Sequence, residues 1–355
     1  MLGDTYYGES YHDKYRERND PYLDLGGDEG YDTSFRNFGN MLNDSDLNIA
    51  NLESAITHMT ASPLSKLGKD YIHYSDVRKT SAALLRHHIH AVSLANNHSS
   101  DFGIEGLRQI QAILSRSGIH HFGAGEDRKE ASTPYLFSFK LKNERLFRVA
   151  VIGAFQVRPK YASDYFDAYA DRTRPGVFAL DVERIRKTVE AIRKIDKDTF
   201  IILFPHWGRD YEKITLAQLG LENQLAPLGI NAIIGHGAHT AQDIKRSSDR
   251  IVAFNIGNFM FNSNGRYKEM GSTSYSFIAK LIKPLDSDQI KFRFYPIFGD
   301  NKWVHYSPRF VGPAEFDDVL DYVKIRNNPD TILDLDEHGY FIEYQIADHI
   351  LPREL

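Results

Sequence analysis

Short apolar runs recur along the chain at residues 47–50, 91–95, 147–152, 200–204, 232–234 and 251–254. Each is three to six residues long, too short for a buried helix and rich in Ile, Val, Phe and Ala, so each predicts a strand buried on both faces. Between them the period changes. Val182, Ile185, Val189, Ile192 and Ile195 repeat at the helical spacing after Asp181, a good N-cap residue. Ile104, Leu107, Ile110 and Leu114 do the same after Asp101. From 275–281 and 290–294 the pattern turns to strict alternation across a polar turn, which predicts an antiparallel hairpin. A helix over 314–323 and a strand over 340–346 follow. The alternation of strands and helices gives an α/β class, with a main domain over 1–312 and a small helix-strand appendage over 313–355 packed on it.

Composition narrows the class without naming a chemistry. Of 355 residues 42% are apolar and 26% charged, which suits a folded globular chain. The net charge of −5 supplies no overall basic field, so a nucleic-acid partner is not expected. No run approaches the ~20 apolar residues of a membrane span. Only Met1 and Leu2 precede Gly3-Asp4, fewer apolar residues than a strand there would need. The chain as given is expected in the cytoplasm, with association to the cell envelope if a segment precedes it. The absence of Cys removes disulfides, a Cys nucleophile and thiolate ligands together, so a metal must be held by nitrogen and oxygen.

The chemistry is concentrated where the apolar runs end: Asn51-Leu52-Glu53, Asn96-Asn97-His98, His206-Trp207-Gly208 and Gly235-His236-Gly237-Ala238-His239. Strand ends are where α/β folds build their sites. With Asp4 from the first strand they supply two carboxylates, an amide and three imidazoles besides His98, enough for two divalent ions of the Zn, Mn or Fe type. Glu53 is the expected bridge, with His206, His236 and Asn97 on one ion and Asp4 with His239 on the other. Two ions about 3.5–4 Å apart activate a water and stabilise a leaving oxygen. His98, next to Asn97, is the expected proton donor, and Asp101 either orients it or caps the following helix. His88, His90, His120 and His121 lie outside these motifs and read as structural or solvent-facing. No Gly-x-Ser-x-Gly elbow, Walker loop or dinucleotide fingerprint occurs.

Taken in order, Gly3-Asp4, Asn51-Leu52-Glu53, Leu94 to His98 with Asp101 and Gly103, Gly123-Ala124-Gly125, His206-Trp207-Gly208, Gly235-His236 with His239, and Gly257-Asn258-Phe259 resemble the CapA/PgsA family. That family is named for poly-γ-glutamate capsule biosynthesis and is related to the calcineurin-like metallophosphoesterases. The resemblance implies a four-layer α/β/β/α sandwich of two mixed sheets with a metal site at one edge. It supports Asp4, Glu53, Asn97, His206, His236 and His239 as ligands. Two departures stand out: Gly237-Ala238-His239 replaces the His-Pro-His of many relatives, and Asp210 stands where Glu is common. The membrane anchor typical of capsule-associated members is missing from the chain as given.

Two long segments rich in Tyr and charge, 5–30 and 156–175, are expected to lie over the site. The second brings Arg158, Lys160, Arg172 and Arg174, which with Asp210 and Asn258 make the expected binding set for an anionic small molecule or polymer. These residues predict a metal-dependent hydrolase whose activated hydroxide attacks a phosphoester or an amide such as a γ-glutamyl linkage. The alternatives are a non-catalytic accessory protein that binds an anionic chain, and a small-molecule biosynthetic enzyme using the same site.

Overall fold

The computed structural model describes residues 1–11, 28–142, 144–162, 165–247, 250–263, 265–287, 289–326, 329 and 331–347. Residues 12–27 of the expected loop 5–30, residues 163–164 of the loop 156–175 and residues 348–355 of the expected appendage lie outside that set.

In chain order the first strands are β1 (Leu2–Tyr6), β2 (Asn48–Leu52) and β3 (Ile89–Ser93), with helix α1 (Val77–Arg86) before β3. Helix α2 (Gly103–Arg116) leads to β4 (His120–Phe122), and a hairpin follows from β5 (Tyr135–Lys140) and β6 (Leu146–Gln156). Then come β7 (Ala179–Leu180), α3 (Val182–Ile195), β8 (Phe200–His206), α4 (Leu216–Leu225), β9 (Ala232–Ile234), β10 (Ile244–Arg246), β11 (Ile251–Ala253) and β12 (Asn258–Phe261). The chain closes with β13 (Tyr275–Ile282), β14 (Gln289–Phe298), α5 (Pro313–Tyr322), β15 (Ile332–Asp336) and β16 (Gly339–Ala347).

Strands β12, β1, β2, β3 and β4 form one sheet in that order, and every pairing in it is parallel. The expectation of two mixed sheets is corrected here. No hairpin joins neighbours in this sheet, and the long crossovers that return each strand to the same end enforce parallel pairing. The second sheet, in the order β7, β6, β8, β9, β11, β10, is mixed, with β5 and β10 antiparallel to their neighbours. Strands β13, β14, β16 and β15 build a third, antiparallel sheet. The last strands of the expected appendage therefore complete the sheet begun by the predicted hairpin.

Alternation within each run decides which core a side chain enters. Val149 and Val151 of β6, with Phe200, Ile202 and Phe204 of β8, share a core with Ile49, Ala91 and Phe122 of the first sheet. Their neighbours Ala150, Ile152, Ala154, Ile201 and Leu203 pack with Ile185, Val189 and Ile192 of α3. Both faces of β6 and β8 are thus apolar, which is why these strands read as unbroken runs. On the other side, Ala50, Leu52 and Val92 share a core with Leu107, Ile110 and Leu114 of α2. The sheets approach closely at Gly153, where a Cβ would lie 2.8 Å from Ser93 Oγ. Asp181 caps α3 as expected, its side chain accepting from Arg184 N at 3.0 Å, a bond worth about 1 kcal/mol.

Candidate metal centre

Parallel pairing sets Asp4 of β1 opposite Asn51 of β2 on one side and Asn258 of β12 on the other. The Asp4 carboxylate is fully buried. Its Oδ1 accepts from Asn51 Nδ2 at 2.9 Å and its Oδ2 from Gly237 N at 3.0 Å. Gly237 has φ +99°, and a Cβ there would meet the His206 ring at 2.8 Å, so only glycine lets the 236–239 turn wrap this imidazole. His239 is itself left-handed, with φ 59°, a conformation that costs a non-glycine residue about 1–3 kcal/mol.

Two groups of ligating atoms result, Asp4 with His206 and His236, and Asp4 with Glu53 and His239, each with its atoms within 4.8 Å of one another. His236 Nδ1 lies 3.2 Å and His206 Nδ1 3.8 Å from Asp4 Oδ1, while His239 Nδ1 lies 3.5 Å from Oδ2. His206 Nε2 reaches to 3.8 Å from Glu53 Oε1. Asp4 is the residue common to both groups, whereas the sequence expectation gave the shared position to Glu53 and set Asp4 on one ion only.

Among the described residues, both oxygens of fully buried Glu53, His236 Nε2 and Asn97 Oδ1 have no hydrogen-bond partner. Leaving a buried carboxylate uncompensated costs several kcal/mol. Burial first, then the charges of Asp4 and Asp210, push the Glu53 carboxyl well above its ordinary range. Burial acts the same way on Asp4, but the His236 hydrogen bond and the charges of His236 and His239 bring its carboxyl below the usual value. Burial also holds His206 well below the ordinary imidazole range, and it is as the neutral ring that histidine ligates a cation. Orphaned acceptors, the neutral His206 imidazole and a carboxylate shared by both groups fit one or two divalent cations of borderline softness.

Beside this cluster stands a second polar group whose members satisfy one another. His98 Nδ1 is 2.7 Å from Asp101 Oδ2, which also accepts from His73 N at 2.6 Å. Lys69 Nζ pairs with Asp101 Oδ1 and donates to Asn97 O at 2.5 Å. The His73 ring stacks on His98 with centroids 3.6 Å apart. Asp101 does not cap α2. Phe102 holds the N-cap position without a side-chain bond, so the carboxylate is free to orient His98.

A cleft of about 510 Å³ opens over both groups, lined by Asn97, His98, His239, Arg158, Lys160 and Asp210 among others. Arg158 is anchored by donating to Gly208 O at 2.8 Å. Arg172 and Arg174 do not line the cleft, and Arg174 pairs with Asp167 at 2.5 Å. Asn258 lies below the surface, its Oδ1 2.8 Å from His239 Nδ1, where it orients that ring.

Residues 1–263 match the family model described as bacterial capsule synthesis protein PGA_cap. The chain belongs to this family. Similar proteins include a capsule biosynthesis protein CapA of Bacillus anthracis, 25% identical over 238 residues, covering 66% of this chain and 54% of that protein. A PGA biosynthesis protein CapA of Bacillus subtilis (strain 168) is 22% identical over 235 residues, covering 66% of this chain and 58% of its own length. The chain therefore spans a little over half the length of these curated relatives. Among solved structures, a calcineurin-like phosphoesterase from Bacillus subtilis overlaps 75% of this chain and 74% of its own, at 15% identity and a TM-score of 0.34.

Within this PGA_cap chain the motif residues Asp4, Glu53, Asn97, His98, His206, His236 and His239 are brought together, although they come from five separate loops and strands. Lys69 and His73 were missed by sequence reasoning. They sit in the stretch between β2 and α1, where neither a helical nor a strand period marks a position. Their i, i+4 spacing across 69–73 is the one local signal, and it is common in solvated segments.

Proposed function

We propose that this PGA_cap protein is a metal-dependent hydrolase of an anionic substrate, a phosphoester or an amide such as a γ-glutamyl linkage. The observation that carries the reading is Glu53, a fully buried carboxylate with neither oxygen bonded, set among Asp4, His206 and His239. Asp4, Glu53, His206, His236 and His239, with the Asn97 amide, would hold the ions. When bound, two such ions activate a water and stabilise charge on the leaving oxygen. The remaining work falls to the chain itself. Arg158 and Lys160 bind and orient the anion at the mouth of the cleft. Asp101 holds the His98 proton on Nδ1 and aims Nε2 toward Glu53, 3.9 Å from its Oε1. Burial and the Lys69 charge keep this imidazole well below its ordinary range. It therefore starts neutral, takes up the proton released as water attacks, and delivers it to the leaving group.

The second reading is an accessory protein that binds an anionic polymer without cleaving it, and the capsule and PGA biosynthesis names of the Bacillus relatives favour it. The two separate on one experiment. Metal-loaded protein is assayed on phosphomonoesters, phosphodiesters and γ-glutamyl peptides, beside Glu53→Ala. Turnover that disappears in the variant supports the hydrolase, and full metal occupancy without turnover on any of these classes supports the binder.

A further inference from the structure

A cavity of about 1110 Å³ lies apart from the metal cleft. It lies between α3, β5 and the start of β6, and none of its lining residues lines the cleft. Thr199 and Arg148 border it at the beginnings of β8 and β6, whereas His206 and Gln156 end those strands at the metal centre. Seven residues at about 3.3 Å each separate the two ends by roughly 20 Å. One small substrate cannot occupy both.

Three features describe what the groove would take. Its rim carries Arg128, Lys129, Arg148, Arg184 and Lys187 against one acid, Asp196, in a chain whose net charge is −5. Arg148 is paired with Asp196 and Lys187 with Glu183, but among the described residues Lys129 and Arg184 have no ion-pair partner. Its floor is apolar, with Leu136 59% and Ile195 86% exposed. One of the strands that line it, β5, is a sheet edge. Strand β5 pairs with β6 alone among the described strands, so alternate N–H and C=O groups along Tyr135–Lys140 point away from the sheet.

A free sheet edge recognises an amide backbone, an apolar strip recognises methylene groups, and a cationic rim recognises carboxylates. We infer that this groove binds an extended polyamide chain bearing carboxylates, laid along β5 as an added strand. Nucleic acid fits less well, because single strands bind on exposed aromatic platforms and Phe178, one of the groove's two phenylalanines, is buried. A lipid surface fits less well because the site is concave. The inference rests on the anionic substrate class proposed above, to which it adds a second binding site.

The test is fluorescence anisotropy of a labelled oligo-glutamate chain with the full protein at low and physiological salt. Lys129→Glu combined with Arg184→Glu is expected to weaken binding about tenfold and flatten its salt dependence. Metal content and turnover should stay as in the wild type, which separates failure here from failure of the hydrolase reading. His236→Ala with His239→Ala should bind the chain normally. If Arg184→Glu does not fold, Lys129→Glu with Lys187→Glu carries the same test. Wild-type protein that does not bind, a groove variant that binds as wild type, or binding lost only in the histidine variant would each overturn the proposal. So would tighter, groove-dependent binding of a single-stranded oligonucleotide or an anionic vesicle.

Discussion

Glu53 and Asp101 are both fully buried carboxylates, and His98 stands between them, its Nε2 3.9 Å from one and its Nδ1 2.7 Å from the other. Of the two, only Asp101 has hydrogen-bond partners for its oxygens among the described residues. Lys69 neutralises one oxygen, and His98 with the His73 amide bonds the other. Among the described residues Glu53 has no donor on either oxygen. Burial raises both carboxyls, and Lys69 and His73 oppose part of the rise at Asp101, while Asp4 and Asp210 add to it at Glu53. Among the described residues a lysine, an imidazole and an amide bond Asp101 while no hydrogen bond reaches Glu53, and this contrast is what supports the proposal that a cation sits at Glu53. On the function proposed above, Asp101 positions His98 and Glu53 is one of the ion ligands.

Removing the residue between them should have the largest effect. His98→Ala is expected to keep its metal and fold yet lose about 10²–10⁴-fold in kcat for a poor leaving group. The loss should shrink for a nitrophenolate, which departs with little need of a proton. Comparing kcat on the matched pair, with metal content measured alongside, reads this directly. Loss of metal would make His98 a ligand, and a penalty independent of leaving group would remove it from proton transfer.

Stability of the metal-free protein should then separate the two carboxylates by sign. Asp101→Asn strands the buried Lys69 charge and should cost about 3–5 kcal/mol. Glu53→Gln puts a neutral amide where burial, Asp4 and Asp210 already disfavour the charged carboxylate, and should be neutral or stabilising by about 1 kcal/mol. Urea unfolding in chelator measures both, and equal losses in the two variants would dissolve the distinction.

A third buried carboxylate offers a smaller and purely pH-dependent check. Among the described residues Glu9 accepts from neutral donors, Tyr31 Oη at 2.5 Å, Asp76 N at 3.1 Å and Ser75 Oγ at 3.3 Å. Burial lifts its carboxyl from 4.5 to about 7 despite these bonds. The folded state therefore holds this proton more tightly than the unfolded chain, so stability is highest below the unfolded value. It falls as pH rises from 4.5 toward about 7, with no further change from this group above that. Glu9→Gln should flatten that part of the stability profile, and an unaltered slope would mean that Glu9 is not the group responsible.

Much of this arrangement is legible in the sequence, for a physical reason. Strands buried on both faces leave continuous apolar runs, so β6, β8, β9 and β11 and the polar residues that end them can be read directly. The α3 helix shows itself through its period and its Asp181 cap. What escapes depends on direction rather than identity. Arg172 and Arg174 have the same charge as Arg158, but Arg174 turns to Asp167, and nothing local reveals that choice. Asp101 suits an N-cap as well as an orienting carboxylate, and only the packed position of Lys69 and His73 decides between them. Membership of the ligand groups is likewise a matter of distances: Asp4 enters both because Asn51 and the Gly237 amide hold its two oxygens apart toward different histidines.

The central claim is that Glu53 is compensated by a cation, and metal stoichiometry tests it most directly. Purified protein is stripped, reconstituted separately with Mn, Fe and Zn, and analysed by mass spectrometry, beside Glu53→Gln and the His236→Ala, His239→Ala double variant. The account predicts between one and two ions per wild-type chain and loss of most of the metal in the double variant. Less than one ion per chain after reconstitution, or unchanged metal in the double variant, would contradict it.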